Sequence, residues 1–350
     1  MRRFQFLAVL ILVFVQCLLL QAQDLKKDKP ETGIFSDSDS LVERIMFYNV
    51  ENAFWPMDDP ERDDEEFLPD GARHWTFTRL REKLNHLSRV ILAAGEGRVP
   101  MVVGLAEVEG DSVMHFWTHR TPLRRTGYRY VVTQGPDARG IQTAMLYHPA
   151  SFRLLQHEGF TVEMPEGERP TRQLLHAAGR LLTGDTLDVI VCHLPSRSGG
   201  AAQTQRKRDV ARARLFQIAD SISAARQHPY LVMMGDMNEE PREEIVPAAV
   251  PFVNLMYPLC KEMHRTPSAF GTHKYQGAWS LIDHFIVHPA MLQDESAAKL
   301  ARPRIFHLPF MMTEDVTHQG ERPFRTYYGY RFEGGYSDHL PILVDLILSR

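Results

Sequence analysis

The order of apolar runs along this chain predicts an α/β domain in which sheets are buried between helices. Short runs of strand length recur from Arg44 to the C-terminal end, and two longer segments between them carry apolar residues at helical spacing. The composition agrees: 44% hydrophobic and 24% charged residues over 350 positions leave enough apolar surface for a sizeable core. That balance excludes disorder as the main state, while the length admits one large domain or two.

The strand-like runs are Ile45–Val50, Met101–Val108, Tyr128–Thr133, Thr143–Tyr147, Leu187–Cys192, Tyr230–Met234, Ile282–Val287 and Pro341–Leu348. Of the helical segments, Thr78–Ala94 repeats Leu80, Leu84, Leu87, Val90 and Ile91 on one face, with Thr78 as its expected cap. Gln203–Arg226 sets Val210, Leu215, Ile218 and Ile222 on one side amid basic residues.

The N-terminus reads as a secretory signal over residues 1–23. Arg2 and Arg3 form a basic start, Phe6 to Leu20 is apolar apart from Gln16, and Gln21-Ala22-Gln23 offers a cleavage point. The apolar run is short of the ~20 residues of a spanning helix. No stable membrane span is therefore expected after cleavage, and the expected location is secreted or periplasmic. Cleavage would shift the formal charge from −4 to about −6, so nucleic-acid binding would rely on local basic patches and metal. Residues 24–40 read as a flexible leader, and 41–350 as the functional domain. Outside the signal only Cys192 and Cys260 remain; they could pair, but no disulfide framework or zinc-type Cys/His spacing is evident.

The polar chemistry falls where apolar runs end. Ile45–Val50 contains Asn49 and leads to Glu51 and Asn52; Met101–Ala106 leads to Glu107; Leu187–Cys192 leads to His193; Tyr230–Met234 leads to Asp236 and Asn238. In α/β folds ligands bind outside strand ends, so these segments are expected to converge on one site. Asp236 and Asn238 would face the same way along an extended chain, with Gly235 allowing close backbone approach. Asp338 and His339 belong in a turn, helped by Gly334-Gly335. Asp283 interrupts an apolar run, a costly position unless it is paired, and a histidine partner would meet that cost. The groups suit phosphoester hydrolysis: Glu107 as ligand to a hard cation, a carboxylate-held histidine taking a proton from water, and Asn, Asp and a second His holding phosphate. Singly, each has an ordinary reading: Glu107 a solvated strand-end acid, His193 a satisfied core histidine, Asp236 and Asn238 a turn, Asp338 a cap.

Together the motifs resemble the endonuclease/exonuclease/phosphatase superfamily, from about Arg44 to Leu348. They are Tyr48-Asn49-Val50-Glu51-Asn52, Val103-Gly104-Leu105-Ala106-Glu107-Val108-Glu109, Cys192-His193-Leu194-Pro195-Ser196-Arg197, Gly235-Asp236-Met237-Asn238, Leu281-Ile282-Asp283 and Ser337-Asp338-His339-Leu340-Pro341. The resemblance implies a four-layer α/β sandwich, with two facing mixed β-sheets flanked by helices, and dependence on Mg2+ or Mn2+. By the same analogy Asn49 and Glu107 hold metal and phosphate, and His193 contacts phosphate. Asp236 and Asn238 position water, phosphate or a second metal; Asp338 helps at the metal; His339 pairs with Asp283.

A bacterial secreted subgroup is similar at Phe67-Leu68-Pro69-Asp70-Gly71, Trp75-Thr76 and Arg139-Gly140-Ile141, which makes Arg139 a candidate phosphate contact beside the solvated-loop alternative. The chain departs from that subgroup at Gln142, where it carries Asp, and at Cys192 and Leu194, where Asn and Trp flank the histidine.

The expected activity is that of a nuclease acting through His-activated water, on a nucleic acid substrate, as a monomer. Ser196 and Arg197 beside His193 are expected substrate contacts, and Arg206, Lys207, Arg208, Arg212 and Arg214 could form a basic face along a helix or an ordinary solvated one. The alternatives are a phosphatase or phospholipid phosphodiesterase, for which exposed aromatics such as Tyr327, Tyr328 and Tyr330 would argue, and a non-catalytic secreted binding protein.

Overall fold

Alternation along the first strand shows how the layers form. Ile45 and Phe47 point into one apolar cluster, while Met46 and Tyr48 point into another. A strand that is apolar on both faces must lie between two layers. The computed structural model describes residues 40–197, 199–266 and 268–349; the expected signal, and the leader except for Ser40, lie outside the described residues.

The main strands are β1 (Leu41–Ala53), β2 (Val102–Val108), β3 (Arg129–Val132), β4 (Gln142–Tyr147), β5 (Arg153–Phe160), β6 (Leu174–Arg180), β7 (Thr186–His193), β8 (Tyr230–Asp236), β9 (Val253–Asn254), β10 (Asp283–Val287), β11 (Ala298–Ile305) and β12 (Ile342–Leu348). The helices are α1 (Phe77–Ala94), α2 (Gly110–Arg120), α3 (Ala201–Ala224) and α4 (Tyr257–Arg265). The first six-stranded sheet has the order β11-β12-β1-β2-β4-β3, and the second β5-β6-β7-β8-β10-β9. Each is antiparallel except for one central parallel pair, β1–β2 and β7–β8. Helices supply those crossovers, α1 between β1 and β2 and α3 between β7 and β8.

The inner faces of the sheets meet in one core, where Phe47, Val102 and Met145 join Val189, Val232 and Met234. Outside the first sheet, Leu80, Leu84, Leu87 and Ile91 of α1 and Trp117 of α2 pack on Met46, Val103 and Leu105. Outside the second, Ala211, Leu215 and Ile218 of α3 pack on Ile190, Leu231 and Met233. This is the expected α/β sandwich of two mixed sheets flanked by helices. Each fully buried aliphatic side chain contributes about 1.5–3 kcal/mol, so truncating one to Ala, as in Leu84→Ala, costs about 2–5 kcal/mol.

Several local expectations change. Helix α1 is capped by Thr76, whose side chain accepts from the Arg79 N–H, and not by Thr78. The intervening Phe77 opens the helix, because the residue with extended backbone just before it is the one that can cap. Cys192 and Cys260 are both free. The Phe67–Trp75 region packs beneath the loop leaving β1: Phe67 stacks on Phe54 at 4.1 Å, and Trp75 Nε1 donates to Phe54 O. The sequence pattern did not anticipate β5, β6, β9, β11, α2 or α4, nor the short hairpins at 273–280, 312–323 and 327–332. Among the described residues, no helix is long and apolar enough to cross a membrane.

Candidate active site

Strand register builds half of the site. His193 ends β7, Asp236 ends β8 and Asp283 opens β10; His193 is paired with Asp236, and Asp236 with Asp283. The three side chains therefore form one row across adjacent strands. Gly235 makes that spacing possible, since a Cβ there would lie 2.2 Å from the Cys192 carbonyl oxygen. Asn238 does not continue the strand as expected. Its φ is +54°, and its N–H donates to Asp236 Oδ1 at 2.8 Å, so the pair forms an Asx-type turn. Its side-chain amide donates to Leu194 O at 3.0 Å.

Strained backbone builds the other half. The β1–β2 register breaks between Asn49 and Ala53, and the β2–β4 register between Ala106 and Val108. Glu51, Asn52 and Glu107 there have φ of +53°, +51° and +66°. Such left-handed backbone is unusual for residues with a Cβ and concentrates at functional sites. It aims Glu107 so that Oε1 accepts from Asn49 Nδ2 at 3.2 Å and Oε2 from the Asn52 N–H at 2.9 Å. Asn49 also donates to Asp236 Oδ2 at 3.1 Å, joining the two sheets.

The turn before β12 closes the site. Ser337 Oγ donates to Asn49 O at 2.7 Å and accepts from the His339 N–H at 3.1 Å. His339 Nδ1 lies 2.9 Å from Asp283 Oδ2, leaving Nε2 3.8 Å from Asp236 Oδ2. His193 Nε2 lies 3.6 Å from Asp236 Oδ2 and 3.8 Å from Glu107 Oε1. Asp338 is held by Arg325 Nη2 at 2.8 Å.

These contacts set the charge states. Burial disfavours the His339 cation, but Asp283, Asp236 and Asp338 outweigh it and raise its pKa well above the ordinary value. Burial, with Arg172, Arg139 and His339, holds His193 well below. Burial pushes Asp236 up to about 7. Asp338 is buried too, yet Arg325, His339, His273 and Lys83 keep its carboxyl below the usual range.

A cavity of about 510 Å3 gathers most of the expected residues: Glu107, Arg139, His193, Ser196, Asp236, Asn238, Asp338 and His339 line it. Asn49 and Asp283 are buried beside it through their bonds to Glu107, Asp236 and His339. Arg197 is not among the lining residues; its Nε donates to Asn238 O at 2.6 Å. The basic face expected on α3 is partly turned inward. Arg208 is buried and donates to Thr204 and Ser196 O, and Arg212 is engaged by Glu239 and Asp209. Lys207 does line the cavity. Of the tyrosines, Tyr327 is buried while Tyr328 and Tyr330 are exposed.

Other residues here escaped the sequence reading. Arg172, His273 and Asp137 line the cavity, with Arg172 donating to Asp137 Oδ2 at 3.3 Å and to Leu194 O at 2.9 Å. Glu51, named at the end of the first strand run but given no role there, is buried against Arg325 and Lys83. Lys83 had a readable signal, a lysine in phase with Leu80 and Leu87 on the apolar face of α1. Its Nζ donates to Thr326 Oγ1 and Tyr336 O, and burial lowers its pKa to about 8. Gln142, where the chain departs from the secreted subgroup, is buried and bonds Gly135 and Gly140, so it shapes the Arg139 loop from behind.

The donor set fits a hard divalent cation. Each Glu107 oxygen accepts one protein hydrogen bond, and a carboxylate has about four acceptor sites, so capacity for a cation remains. Ligand atoms of Asp236, Asp283 and His339, and of His273, Asp338 and His339, lie within 4.8 Å of one another; Glu107 belongs to neither group. Carboxylate oxygens of this kind suit Mg2+ or Mn2+.

The sequence model described as the Endonuclease/Exonuclease/phosphatase family matches residues 44–347. No curated protein matches the sequence. Among solved structures, the human nocturnin catalytic domain with bound sulfate is similar at TM-score 0.54 and 16% identity, covering 89% of this chain and 97% of that one. TDP2 of D. rerio with single-strand DNA product is similar at 0.52 and 15%, covering 87% and 98%. A mannosyl-6-phosphatase of Bacteroides thetaiotaomicron is similar at 0.53 and 13%, covering 87% and 100%.

Proposed function

Because this chain belongs to the endonuclease/exonuclease/phosphatase family, we propose that it is a divalent-metal-dependent phosphoesterase that cleaves phosphodiester bonds of nucleic acid. The observation that carries the reading is the row His193–Asp236–Asp283, with His339 locked on Asp283 and Glu107 tied to Asp236 through Asn49. Mg2+ or Mn2+ held by Glu107 and Asp338 would polarise the phosphoryl oxygen and stabilise the leaving oxygen.

The protein groups divide the remaining work. Asp283 occupies His339 Nδ1 and fixes the ring, so Nε2 faces Asp236 across 3.8 Å. Within that pair His339 favours its cation, so the Asp236 carboxylate beside it takes the proton of the attacking water. His193 and Asn238 contact the phosphate. Arg139 and Ser196 in the lining, with Arg197 beside Asn238, hold its flanks. The D. rerio TDP2 structure holds single-strand DNA in the same fold, which supports a nucleic acid substrate. With the N-terminal signal pattern, the enzyme works outside the cytoplasm as a monomer.

A second reading, hydrolysis of a small phosphoester, is favoured by the inward turn of Arg208 and Arg212, which shortens any basic track for a polymer. The mature protein should be incubated with plasmid DNA, RNA, sphingomyelin and a sugar phosphate, each with Mg2+, Mn2+ or EDTA. Cleavage of nucleic acid with metal alone is expected. Turnover of the sugar phosphate only would replace the nuclease reading, and full activity in EDTA would overturn the metal-dependent one.

A further inference from the structure

The segment leaving the candidate active site meets helix α4 at a cluster that the catalytic reading does not use. Cys260 and His264 are four residues apart on α4, so they share a face. Glu240, two residues past Asn238, approaches that face, with His264 Nε2 3.0 Å from Glu240 Oε2. Cys260 Sγ, an imidazole nitrogen of His264 and a carboxylate oxygen of Glu240 all lie within 4.8 Å of one another. Bonds of roughly 2.0–2.3 Å in a tetrahedral zinc site leave ligand atoms roughly 3.3–3.8 Å apart, so side-chain adjustment alone can close the cluster on an ion.

We propose that Cys260, His264 and Glu240 form a second metal site, specific for Zn2+ or a similar borderline cation, with its fourth position open. The ligand chemistry separates it from the first site, because thiolate and imidazole select Zn2+ whereas the carboxylate oxygens at Glu107 and Asp338 suit Mg2+ or Mn2+. Binding releases one thiol proton to solvent, and the His264 proton resides on Nδ1, leaving Nε2 to donate to the ion. His264 and Glu240 give the ion a route in, since both are partly exposed while Cys260 is buried.

The site has a structural consequence. Tyr257 Oη already donates to Glu243 at 3.1 Å, and Lys261 Nζ lies 3.9 Å from Glu243, so α4 and residues 240–243 are neighbours before any ion binds. The preceding Glu239 carbonyl accepts from His284 Nε2 at 2.9 Å, next to Asp283. An ion at Glu240 therefore anchors the loop that carries Asn238 and braces Asp283.

Cobalt gives a readout independent of activity. Co2+ added to the full mature protein should produce a near-ultraviolet thiolate-to-cobalt charge-transfer band that oxygen-ligated Co2+ at the first site cannot give. The band should persist in Glu107→Gln and disappear in Cys260→Ser and in His264→Ala. The second of these lies on a partly exposed helix position and should keep the fold if the buried cysteine variant does not. Bound Zn2+ in the Glu107→Gln protein should fall from about one equivalent to none on His264→Ala. Absence of the band at saturating Co2+, or its survival in His264→Ala, would overturn the proposal and leave His264–Glu240 as a surface ion pair of little energetic weight.

Discussion

The two sheets are built on the same plan, yet they deliver different chemistry to the cleft. Each has a parallel pair joined by a helix, β1–α1–β2 in the first and β7–α3–β8 in the second, and each sends its polar residues out at the ends of that pair. From the first sheet come Asn49 and Glu107, an amide and a carboxylate joined by a hydrogen bond; from the second come His193 and Asp236, an imidazole and a carboxylate whose pKa values burial shifts. The positioning differs as well. Glu107 is aimed by a bulge with positive φ, whereas His193, Asp236 and Asp283 are aligned by unbroken register. A bulge can re-aim one side chain independently of its neighbours, and a register row fixes several side chains at once. Asn49 and His339 couple the two arrangements, each reaching a residue of the second sheet.

The sharpest way to break this arrangement is to remove the first-sheet carboxylate Glu107 and, separately, the His339 ring that couples the two sheets. Glu107→Gln should abolish turnover in Mg2+ and Mn2+ alike, as EDTA should for the native protein. His339→Ala should lower kcat by about 10²–10⁴-fold with metal affinity preserved. Steady-state rates and metal titration read both, and metal affinity lost equally in the two variants would erase the distinction. Asp283→Asn comes next. With its imidazole less firmly held, kcat should fall while KM stays near native; an unchanged kcat would remove Asp283 from the arrangement.

Register and strain can then be compared directly. Gly235→Ala sets a Cβ against the Cys192 carbonyl, so β7 and β8 must separate, at about 1–3 kcal/mol and with loss of activity. Asn52→Gly keeps both the positive φ and the N–H that Glu107 needs, so the Tm and rate should hold within a small margin. A severe loss there would mean that the Asn52 side chain matters beyond its backbone.

A separate effect, on stability against pH and not on turnover, concerns one buried carboxylate per sheet. Asp345 is surrounded by Arg44, Arg302 and Arg304; Asp188 is bonded by Arg226 and His176. Burial raises both carboxyls, but these partners outweigh it and hold them below the ordinary value. Their contribution is therefore complete above about pH 4 and lost as pH falls through the lower folded-state values. Asp345→Asn and Asp188→Asn should each cost about 1.5–3 kcal/mol at neutral pH and flatten the acid limb of the stability curve. Chemical denaturation at several pH values measures both, and an acid limb unchanged in either variant would assign acid sensitivity elsewhere.

Much of the candidate site was legible in the chain. Asn49, Glu107, His193 and Asp236 stand at the ends of apolar runs, and Asp283 inside one, because a buried strand can carry polar groups only at its edge or against a partner. Helix α1 announced itself by its repeat, and Lys83 was visible in that same repeat though passed over. Arg172, His273 and Arg325 had no such mark. Arg172 and Arg325 lie outside the strands and His273 opens a short hairpin, and only the chain's return brings them to the site. The arginines of α3 illustrate the opposite case: the basic run reads as a phosphate-tracking or an ordinary solvated face, and helical geometry turns Arg208 inward from both, to Thr204 and Ser196.

By itself the sequence determined the mixed α/β class, eight of the twelve main strands and the residue types available for phosphoester chemistry, since these follow from local periodicity and from the cost of burying polar groups. Tertiary structure alone decided which of them meet. The His193–Asp236–Asp283 row depends on pairing β7 with β8 and β8 with β10, and the Asp283–His339 bond on a turn 56 residues away. The cluster of Cys260, His264 and Glu240 likewise unites a helix and a loop that no spacing rule connects. Contacts between distant segments arise from packing whole layers, and a one-dimensional pattern carries no record of that packing.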